Sequence, residues 1–245
     1  MNDRIVIGIP GAWPSRTDLV ASIATLSNGY LFAGRVLMEV CTSNACELEV
    51  YEHDPKLRHA FEIAGRDRIS PELLTQIAGH TFTAYVIGSE LSPAGVAQMR
   101  VFAAALLRSG GFAVKVESTG IAHSPEAWLR DIDDQSIESL YPLFHTYIGS
   151  SEYYYSCGMK NFGLPDCSVD RSVSPATAAE TMHAFNYFQL NESPSFQEGH
   201  TFSLSAEAPK YRLSKLAYGY KPGSPLDNPF GRWHLQPDQS SSRHG

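Results

Sequence analysis

The stretch Phe82-Thr-Ala-Tyr-Val-Ile87, then Ser92-Pro93 and an apolar segment, then Phe112-Ala-Val-Lys-Val-Glu117 sets the fold class of this chain. The first and last runs are rich in β-branched and aromatic residues, which is typical of strands. The segment 93–109 between them predicts a helix, because its apolar residues recur at helical spacing. A strand, a long crossover and a strand predict that the two strands run parallel.

Outward from this unit, the chain continues to mix the two element types. Towards the N-terminus, the pattern predicts a buried strand, a helix, two strands and an interrupted helical region, at 4–9, 19–26, 35–41, 46–52 and 55–79. Towards the C-terminus, it predicts a short helix, two strands, a helix and three further strands, at 125–132, 140–148, 152–157, 175–190, 200–205, 211–218 and 231–236.

These elements predict an α/β chain of mixed α+β character with two ferredoxin-like, open-sheet halves. Helices are expected on one or both faces of mixed sheets. The polar, acidic run at 131–136 suggests a boundary, so the predicted parts are an N-terminal α/β half at 1–134 and a strand-rich half at 135–237. The polar end, 238–245, is predicted to be disordered.

Serine-proline pairs punctuate the chain at Ser70, Ser92, Ser124 and Ser174, each directly before a helical pattern. Serine accepts a hydrogen bond from a free N–H of the first turn, and proline at the first helical position lacks an N–H that would otherwise be orphaned. Such pairs are also kinase motifs, but their uniform placement favours helix caps.

Composition narrows the function classes. The chain has 245 residues, 43% of them hydrophobic, and a formal net charge of −7. An acidic surface repels phosphate backbones and anionic lipid, so we expect no nucleic-acid or membrane partner, and a basic protein partner fits better. The first residues lack a signal-peptide pattern and no apolar stretch is long enough for a membrane span, which predicts a cytoplasmic protein.

The four cysteines, Cys41, Cys46, Cys157 and Cys167, form no Cys-x-x-Cys pair. Neither a zinc ribbon nor a thioredoxin-type redox site is therefore indicated. We interpret the thiols as packed side chains in a reducing compartment, and we expect no metal site and no cofactor.

His123 is the first candidate functional residue. It ends the segment 118–123, which would lead from strand 112–117 to the next helix, while Gly88-Ser89-Glu90 leads from strand 82–87 to its helix. If the strands are parallel neighbours, both loops open at one sheet edge, where α/β sheets bind small or anionic ligands. Alternatively, His123 only caps its helix or contacts the other half.

The segment with the highest density of turn-forming residues and candidate functional side chains is Tyr155 to Cys167, with the sequence YSCGMKNFGLPDC. Its glycines and proline predict a bent, defined path that Phe162 and Leu164 anchor to a core. The loop would then present Cys157, Lys160, Asn161 and Asp166. A cysteine beside lysine is a possible nucleophile, with His123, His145 or His200 as its base. The alternative is a structural loop joining two strands.

Two further turns contain candidate binding residues. His200 lies in Gly199-His-Thr-Phe202, and Arg232 lies in Asn228-Pro-Phe-Gly-Arg-Trp233. Arg232 would bind a carboxylate or stack on Trp233, although a surface cation–aromatic pair is the commoner arrangement.

The run Cys157-Gly-Met-Lys-Asn-Phe-Gly-Leu-Pro-Asp166, with Gly199-His-Thr-Phe202 downstream, resembles a bacterial family of unknown function. The similarity is strongest over about 112–236. It implies a bacterial cytoplasmic protein with an uncharacterised C-terminal domain, and it brings no activity and no residue role with it. We associate such families with toxin-immunity and secretion neighbourhoods.

Two hypotheses follow. The one we favour is a non-enzymatic protein-interaction module, of which one specific form is an immunity-type inhibitor of a bacterial toxin. It rests on an acidic, compact chain without a complete catalytic constellation. The alternative is a small-molecule hydrolase that uses His123 with the Cys157–Asp166 loop. Beyond catalysis, the residues expected to bind are His123, Lys160, Asn161, Asp166, His200 and Arg232.

Overall fold

A computed structural model describes residues 4–216, 224 and 226–238. The chain divides into two compact units, one of them Asp3–Phe144 and the other containing His145–Gly245. The predicted disordered tail lies outside the described residues, apart from Asp238. In the described part of the chain, no helix combines the length and the apolar character needed to span a membrane.

The first unit contains one sheet and six helices among its described residues. Its strands are β1 (Ile5–Gly11), β2 (Tyr30–Ala33), β3 (Val36–Glu39), β4 (Ala45–Glu52), β5 (Phe82–Gly88), β6 (Val114–Val116) and β7 (Ile121–His123). Its helices are α1 (Arg16–Leu26), α2 (Leu57–Gly65), α3 (Pro71–Ala78), α4 (Pro93–Arg108), α5 (Pro125–Leu129) and α6 (Ile137–Phe144). The predicted interruption between α2 and α3 is a short 3₁₀ turn, Arg66–Arg68.

The seven-stranded sheet has the order β2-β3-β4-β5-β1-β6-β7, and every neighbouring pair is antiparallel. Strand β1 lies between β5 and β6 because its isoleucines are buried throughout, as a central strand requires. Strands β5 and β6 are both antiparallel to β1, so they run parallel to each other, as predicted. They are not neighbours, however, and β2 was not predicted.

The segment 118–123 differs from its prediction as a loop. A tight turn with Gly120 at φ 69° reverses the chain after β6, and the residues that follow form β7, whose His123 lies opposite Val114. His123 is therefore at the other end of the sheet from Gly88, and the shared-edge argument for it is wrong. The reason is burial: Ile121, Ala122 and His123 are all inaccessible and pair with β6 rather than line a loop.

All four predicted serine caps are confirmed. Each serine hydroxyl accepts from the backbone N–H three residues ahead, at 3.0–3.3 Å, and each following proline occupies the first turn. Helix α4 then buries the predicted face, which includes Val96, Met99, Phe102 and Leu106, and packs on β1 and β5.

Among its described residues, the second unit contains a six-stranded sheet of order β11-β12-β13-β10-β9-β8 and one long helix. Its elements are β8 (Thr146–Gly149), β9 (Tyr153–Cys157), β10 (Asp166–Asp170), α7 (Pro175–Glu192), β11 (Thr201–Phe202), β12 (Tyr211–Leu216) and β13 (Arg232–Pro237). Strands β10 and β13 are parallel and the other neighbours are antiparallel. Helix α7 packs on β10 and β9 over a core that includes Met182, Phe185 and Leu235.

The α+β class with two open sheets is thus confirmed, but the strand predicted at 140–148 is wrong in its first part. Residues up to Phe144 form α6, which buries Leu140, Tyr141, Leu143 and Phe144 at helical spacing although Pro142 lies within it. A short apolar run does not by itself distinguish a buried strand from a helix. Because α6 packs on α4 and β7, the first unit extends to Phe144 rather than ending at 134.

Candidate functional site

The segment with the densest sequence signal joins β9 to β10 through a 3₁₀ turn, Met159–Phe162. Gly158 and Gly163 flank the turn with φ values of 122° and 76°, a region that other residues rarely adopt. Phe162 is buried as predicted, whereas Leu164 is only half-buried. The turn residues therefore set the path of this loop.

Asp166 is the centre of the loop's polar contacts. Its Oδ1 accepts a hydrogen bond from the backbone N–H of Met159 at 3.1 Å, and its Oδ2 accepts one from Asn228 Nδ2 at 2.8 Å. Ser156 Oγ, which lies 3.4 Å from Asp166 Oδ1, accepts from the N–H of Cys167 at 2.8 Å. The carboxyl group thus holds together two ends of the loop and a distant segment.

The expectation that the loop presents Cys157, Lys160, Asn161 and Asp166 at the surface is wrong, since all four are at most 3% exposed. Lys160 Nζ donates to the carbonyl oxygen of Asp227 at 3.0 Å. Polar side chains in this loop bind backbone groups of the same unit, because a buried polar group without such a partner is costly.

The cysteines of this loop are not activated thiols. Burial raises the pKa of Cys157 and of Cys167, and the charge of Asp166 raises both further. A nucleophilic cysteine needs the opposite shift and access to solvent. In the first unit, Cys46 is half-buried, and burial raises its pKa to about 12, while Cys41 is exposed rather than packed as expected.

The three histidines considered as bases have different environments. His123 is 4% exposed and its Nε2 lies 2.9 Å from the carbonyl oxygen of Leu143. Burial lowers the pKa of His123 to about 4, assisted by the charge of Arg68 and opposed by the Leu143 hydrogen bond. Burial, with a contribution from His183, lowers the pKa of His145 to about 3. His200 is exposed and accepts from the N–H of Gln197.

His123 belongs to the first unit and the Cys157–Asp166 loop to the second. His145 lies in the second unit, and its Nε2 is 3.1 Å from Asn186 Nδ2. Asn186 Oδ1 in turn accepts from Cys167 Sγ at 3.3 Å. These buried groups form a hydrogen-bonded network between α7 and the sheet.

Arg232 is nearly buried, which differs from the predicted surface pair with Trp233. Its guanidinium lies over the ring of Tyr155 at 4.5 Å, while the ammonium of Lys215 lies 5.5 Å from the Trp233 ring. Successive strand residues point to opposite faces, so Arg232 and Trp233 cannot share one partner.

Sequence reasoning missed a serine, histidine and aspartate arrangement across β10 and β13. Ser168 Oγ lies 3.1 Å from His234 Nδ1, and His234 Nε2 lies 3.5 Å from Asp170 Oδ1. The residue types are those of a hydrolase triad, but serine and aspartate contact the opposite ring nitrogens from those in a triad, and Ser168 is 0% exposed. The arrangement links two parallel strands. Because His234 lies 66 positions from Ser168 in the sequence, no local pattern signals the arrangement.

Sequence reasoning also missed an exposed apolar surface on the hairpin β2–β3, here called the hairpin face. It consists of Leu31, Ala33, Val36 and Met38, which share one side of the hairpin because Leu31 pairs with Met38 and Ala33 with Val36. Leu31 is 45% and Val36 48% exposed. Val40 beside them is also exposed.

The opposite side of the same hairpin is buried. Tyr30, Phe32 and Leu37 are at most 6% exposed, and α1 packs on β2. Strand β2 is at the end of the sheet order, so its outer edge has no strand partner among the described residues. An open strand edge that carries exposed apolar side chains can pair with another protein, and β2 presents such an edge over four residues.

Charged side chains border the hairpin face on the β4 side. Arg35 contacts both Glu47 and Glu49, and Arg4 Nη1 lies 2.9 Å from Glu47 Oε2. Glu47 is opposite Val36 in the ladder, so the carboxylates begin where the apolar residues end. An apolar centre with a charged border is the usual anatomy of a protein contact surface.

Among the described residues, no group of three or more His, Cys, Asp or Glu side chains is placed to hold a metal ion. A comparison with protein-family models found no match, and neither did searches of curated proteins and of solved structures. The resemblance of the loop motif to a bacterial family stays a prediction.

Proposed function

We propose that this chain is a non-enzymatic protein-interaction module that binds its partner through the hairpin face. The observation that carries the proposal is the exposure of Leu31 and Val36 on an edge hairpin whose other side is fully packed. Isolated exposed apolar residues are ordinary, but a contiguous patch on an open sheet edge is typical of association surfaces.

The partner we propose is a protein with an apolar contact strip and a basic border. Glu47 and Glu49, which both contact Arg35, lie on β4 beside the exposed residues, and the chain as a whole has a net charge of −7. Complementary charges steer the encounter of two proteins and disfavour acidic competitors. An immunity-type inhibitor of a basic toxin is the specific form of this proposal, and it rests on the charge and on the sequence resemblance.

The hydrolase alternative has less support. Its proposed nucleophile, Cys157, is buried with a raised pKa, and the Nε2 of its proposed base, His123, already contacts a carbonyl oxygen. Neither group is both accessible and activated, which nucleophilic catalysis requires.

The test is capture of partners from the native host by wild-type protein, by Leu31→Glu and by Ile63→Glu. Both positions are exposed, and Ile63, at 64%, lies on α2, away from the hairpin, which makes its variant the matched control. We expect a protein captured by wild type and by Ile63→Glu but lost with Leu31→Glu. Equal capture by all three would contradict the proposed surface.

The on-rate of the captured partner then tests the charge argument. Charges in solution are screened beyond about 8–10 Å at physiological salt, so an electrostatically steered on-rate falls as salt rises. A salt-independent on-rate, or an acidic partner, would remove the basic-toxin form of the proposal while leaving the hairpin face as the contact surface.

A further inference from the structure

His80 joins the end of α3 to the start of α2 through its imidazole ring. The side chain is almost inaccessible, since the residue is 2% exposed. Its Nδ1 lies 2.7 Å from the carbonyl oxygen of Ile77, and its Nε2 lies 3.1 Å from the backbone nitrogen of Asp54. His80 follows α3 whereas Asp54 precedes α2, so the second contact joins two segments that are 26 positions apart.

These two contacts determine the protonation state of the ring. A carbonyl oxygen only accepts, so the contact with Ile77 requires a proton on Nδ1 of His80. A backbone N–H only donates, so the contact with Asp54 requires a lone pair on Nε2. The ring is therefore neutral, and a proton on Nε2 would replace the hydrogen bond by two N–H groups that point at each other.

The first turn of α2 depends on Asp54. Lys56, the residue before the helix, provides no side-chain cap. Instead, Asp54 Oδ1 accepts from the backbone N–H of Lys56 at 2.9 Å, and the carbonyl oxygen of Asp54 accepts from the N–H of Leu57 at 3.0 Å. The free N–H groups at the start of a helix need such acceptors. Because the His80 ring holds Asp54, it also holds the beginning of α2.

The backbone that carries His80 is anchored to the end of β1 and the residues after it. The N–H of Thr81 donates to the carbonyl oxygen of Gly11 at 2.9 Å, and Thr81 Oγ1 donates to that of Trp13 at 2.6 Å. Residues 11–13 carry no charge. At the far end of α2, Arg66 has φ 49°, a strained value for a residue with a side chain. Loss of the ring's contact would therefore move the start of α2 rather than His80.

Two titratable groups act on His80, and both lie between β4 and α2. His53 Nδ1 donates to the carbonyl oxygen of His80 at 2.8 Å, and the centroids of the two rings are 4.5 Å apart. Burial lowers the pKa of His80, and the Ile77 hydrogen bond opposes that shift. The charge of His53 lowers this pKa further, whereas the charge of Asp54 raises it. On α3, the acidic residue Glu72 lies in the first turn, at the opposite end of the helix from His80.

We propose that His80 is a proton-operated latch: the neutral ring holds the first turn of α2 against the end of α3, and a proton on Nε2 releases that turn. Leu57 and Phe61 lie in the released segment, and both are buried in a cluster that includes Ile77 and Ala122. Acidification therefore exposes apolar side chains that now pack between α2, α3 and β7. The latch is independent of the proposed protein contact on the hairpin face, and its test requires no partner.

Hydrogen–deuterium exchange of the whole protein at several pH values tests the latch. Release by one proton makes local opening more favourable by up to about tenfold per pH unit below pH ~6.5, the pKa of a free imidazole. The protection factors of the amides at 54–61 should fall accordingly, and by more than those of β1 and β5, which the latch does not hold. The difference between the two sets removes any loss of global stability. Equal losses in both sets would overturn the proposal.

His80→Gln separates the latch from other titrating groups. Glutamine keeps an oxygen that can accept from the N–H of Asp54 but does not titrate, so the excess loss of protection at 54–61 should disappear. The matched control is His59→Gln, because His59 is exposed on α2 itself, and this variant should retain the excess loss. An excess loss that persists in His80→Gln would contradict the latch.

Nitrogen-15 NMR of the imidazole in wild-type protein gives a second readout, which does not depend on the folding of a variant. We expect Nδ1 of His80 to carry the proton at neutral pH, and Nε2 to gain one over the pH range in which the amides at 54–61 lose protection. A proton on Nε2 at neutral pH, or a titration of His80 that leaves these amides protected, would overturn the proposal.

Discussion

Asn228 donates a hydrogen bond from Nδ2 to Asp166 Oδ2 at 2.8 Å, across 62 positions of sequence. The same amide nitrogen is 3.0 Å from the carbonyl oxygen of Leu164. One buried side chain therefore ties the turn before β13 to both the backbone and the carboxyl group of the loop before β10. A residue outside the motif therefore also holds the loop that has the strongest sequence signal.

Replacement of Asn228 by alanine should therefore destabilise the second unit. Loss of a hydrogen bond to a buried carboxyl group costs about 1.5–3 kcal/mol, since the acceptor keeps its desolvation penalty. Urea unfolding measures the loss. The same substitution at exposed Asn191 on α7 should stay within about 0.5 kcal/mol. Equal effects at the two positions would contradict the role of Asn228.

Phe162→Ala should be the most damaging change within the loop. Its ring is 3% exposed, and truncation of a buried phenylalanine typically costs about 3–5 kcal/mol. Leu164→Ala is the comparison: because Leu164 is only half-buried, its truncation should cost roughly 1–2 kcal/mol. Unfolding free energies in urea would rank the two, and a larger loss at Leu164 would show that the anchor has been misassigned.

Thiol labelling should distinguish Cys41 from the two buried cysteines of the second unit. Exposed Cys41 should react with iodoacetamide in the folded protein, whereas Cys157 and Cys167 should react only after unfolding, because they are buried and their thiolates are disfavoured. Mass spectrometry of tryptic peptides reads out each site. Cys157→Ser should likewise remain folded and keep its biological effect. A folded variant without that effect would favour the hydrolase over the interaction module.

Ser92→Ala and Ser174→Ala should each lower the free energy of unfolding by about 1 kcal/mol, the usual value of a helix cap. Their hydroxyls accept from Gly95 N and Thr177 N at 3.0 and 3.2 Å. Ser92→Asn keeps a capping acceptor and should restore most of the loss at that site. If Ser92→Ala and Ser92→Asn have the same free energy of unfolding, capping does not explain the stability lost at this site.

Stability should fall below neutral pH because of His123. Its pKa is lowered in the folded protein to about 4, against about 6.5 in an unfolded chain, so the unfolded state binds a proton first as pH falls. The contribution of neutral His123 to the free energy of unfolding is fully present above pH ~6.5. It is lost as the pH falls from ~6.5 to ~4, at up to about 1.4 kcal/mol per pH unit. His145 acts with the same sign.

Unfolding free energies at several pH values would measure this slope in wild type and in His123→Gln. Glutamine keeps a donor for the carbonyl oxygen of Leu143 but does not titrate, so the slope should become shallower. The same substitution at His59, whose side chain is 73% exposed, is the matched control. Equal slopes for the two variants would exclude His123 as the titrating group.

Local signals in the sequence predicted most of the helices. Ser70, Ser92, Ser124 and Ser174 were recognisable as caps because a cap needs only the N–H groups of the next few residues. The end of α1 was equally local, since Asn28 and Gly29 adopt positive φ values directly after it. Helix α6 was missed because its apolar run is too short to distinguish the spacing of a helix from that of a buried strand.

The candidate sites were less predictable. Lys160, Asn161 and Asp166 were expected to be presented on a rigid loop, and their burial depends on partners such as Asp227 and Asn228 that no local pattern identifies. His123 was expected in a loop, but pairing of β7 with β6 places it in the outermost strand of the sheet. The hairpin face escaped notice because β2 was not predicted at all.

The sequence by itself determined where most helices begin and end, the mixed class of the chain and the path of the loop between Gly158 and Gly163, because these follow from contacts within a few residues. Tertiary structure alone decided that β1 lies between β5 and β6, that the ring of His80 meets the backbone of Asp54, and that Leu31 and Val36 remain exposed. Each of these depends on the pairing and packing of segments far apart in the chain, where burial of one surface is possible only if another, distant surface covers it.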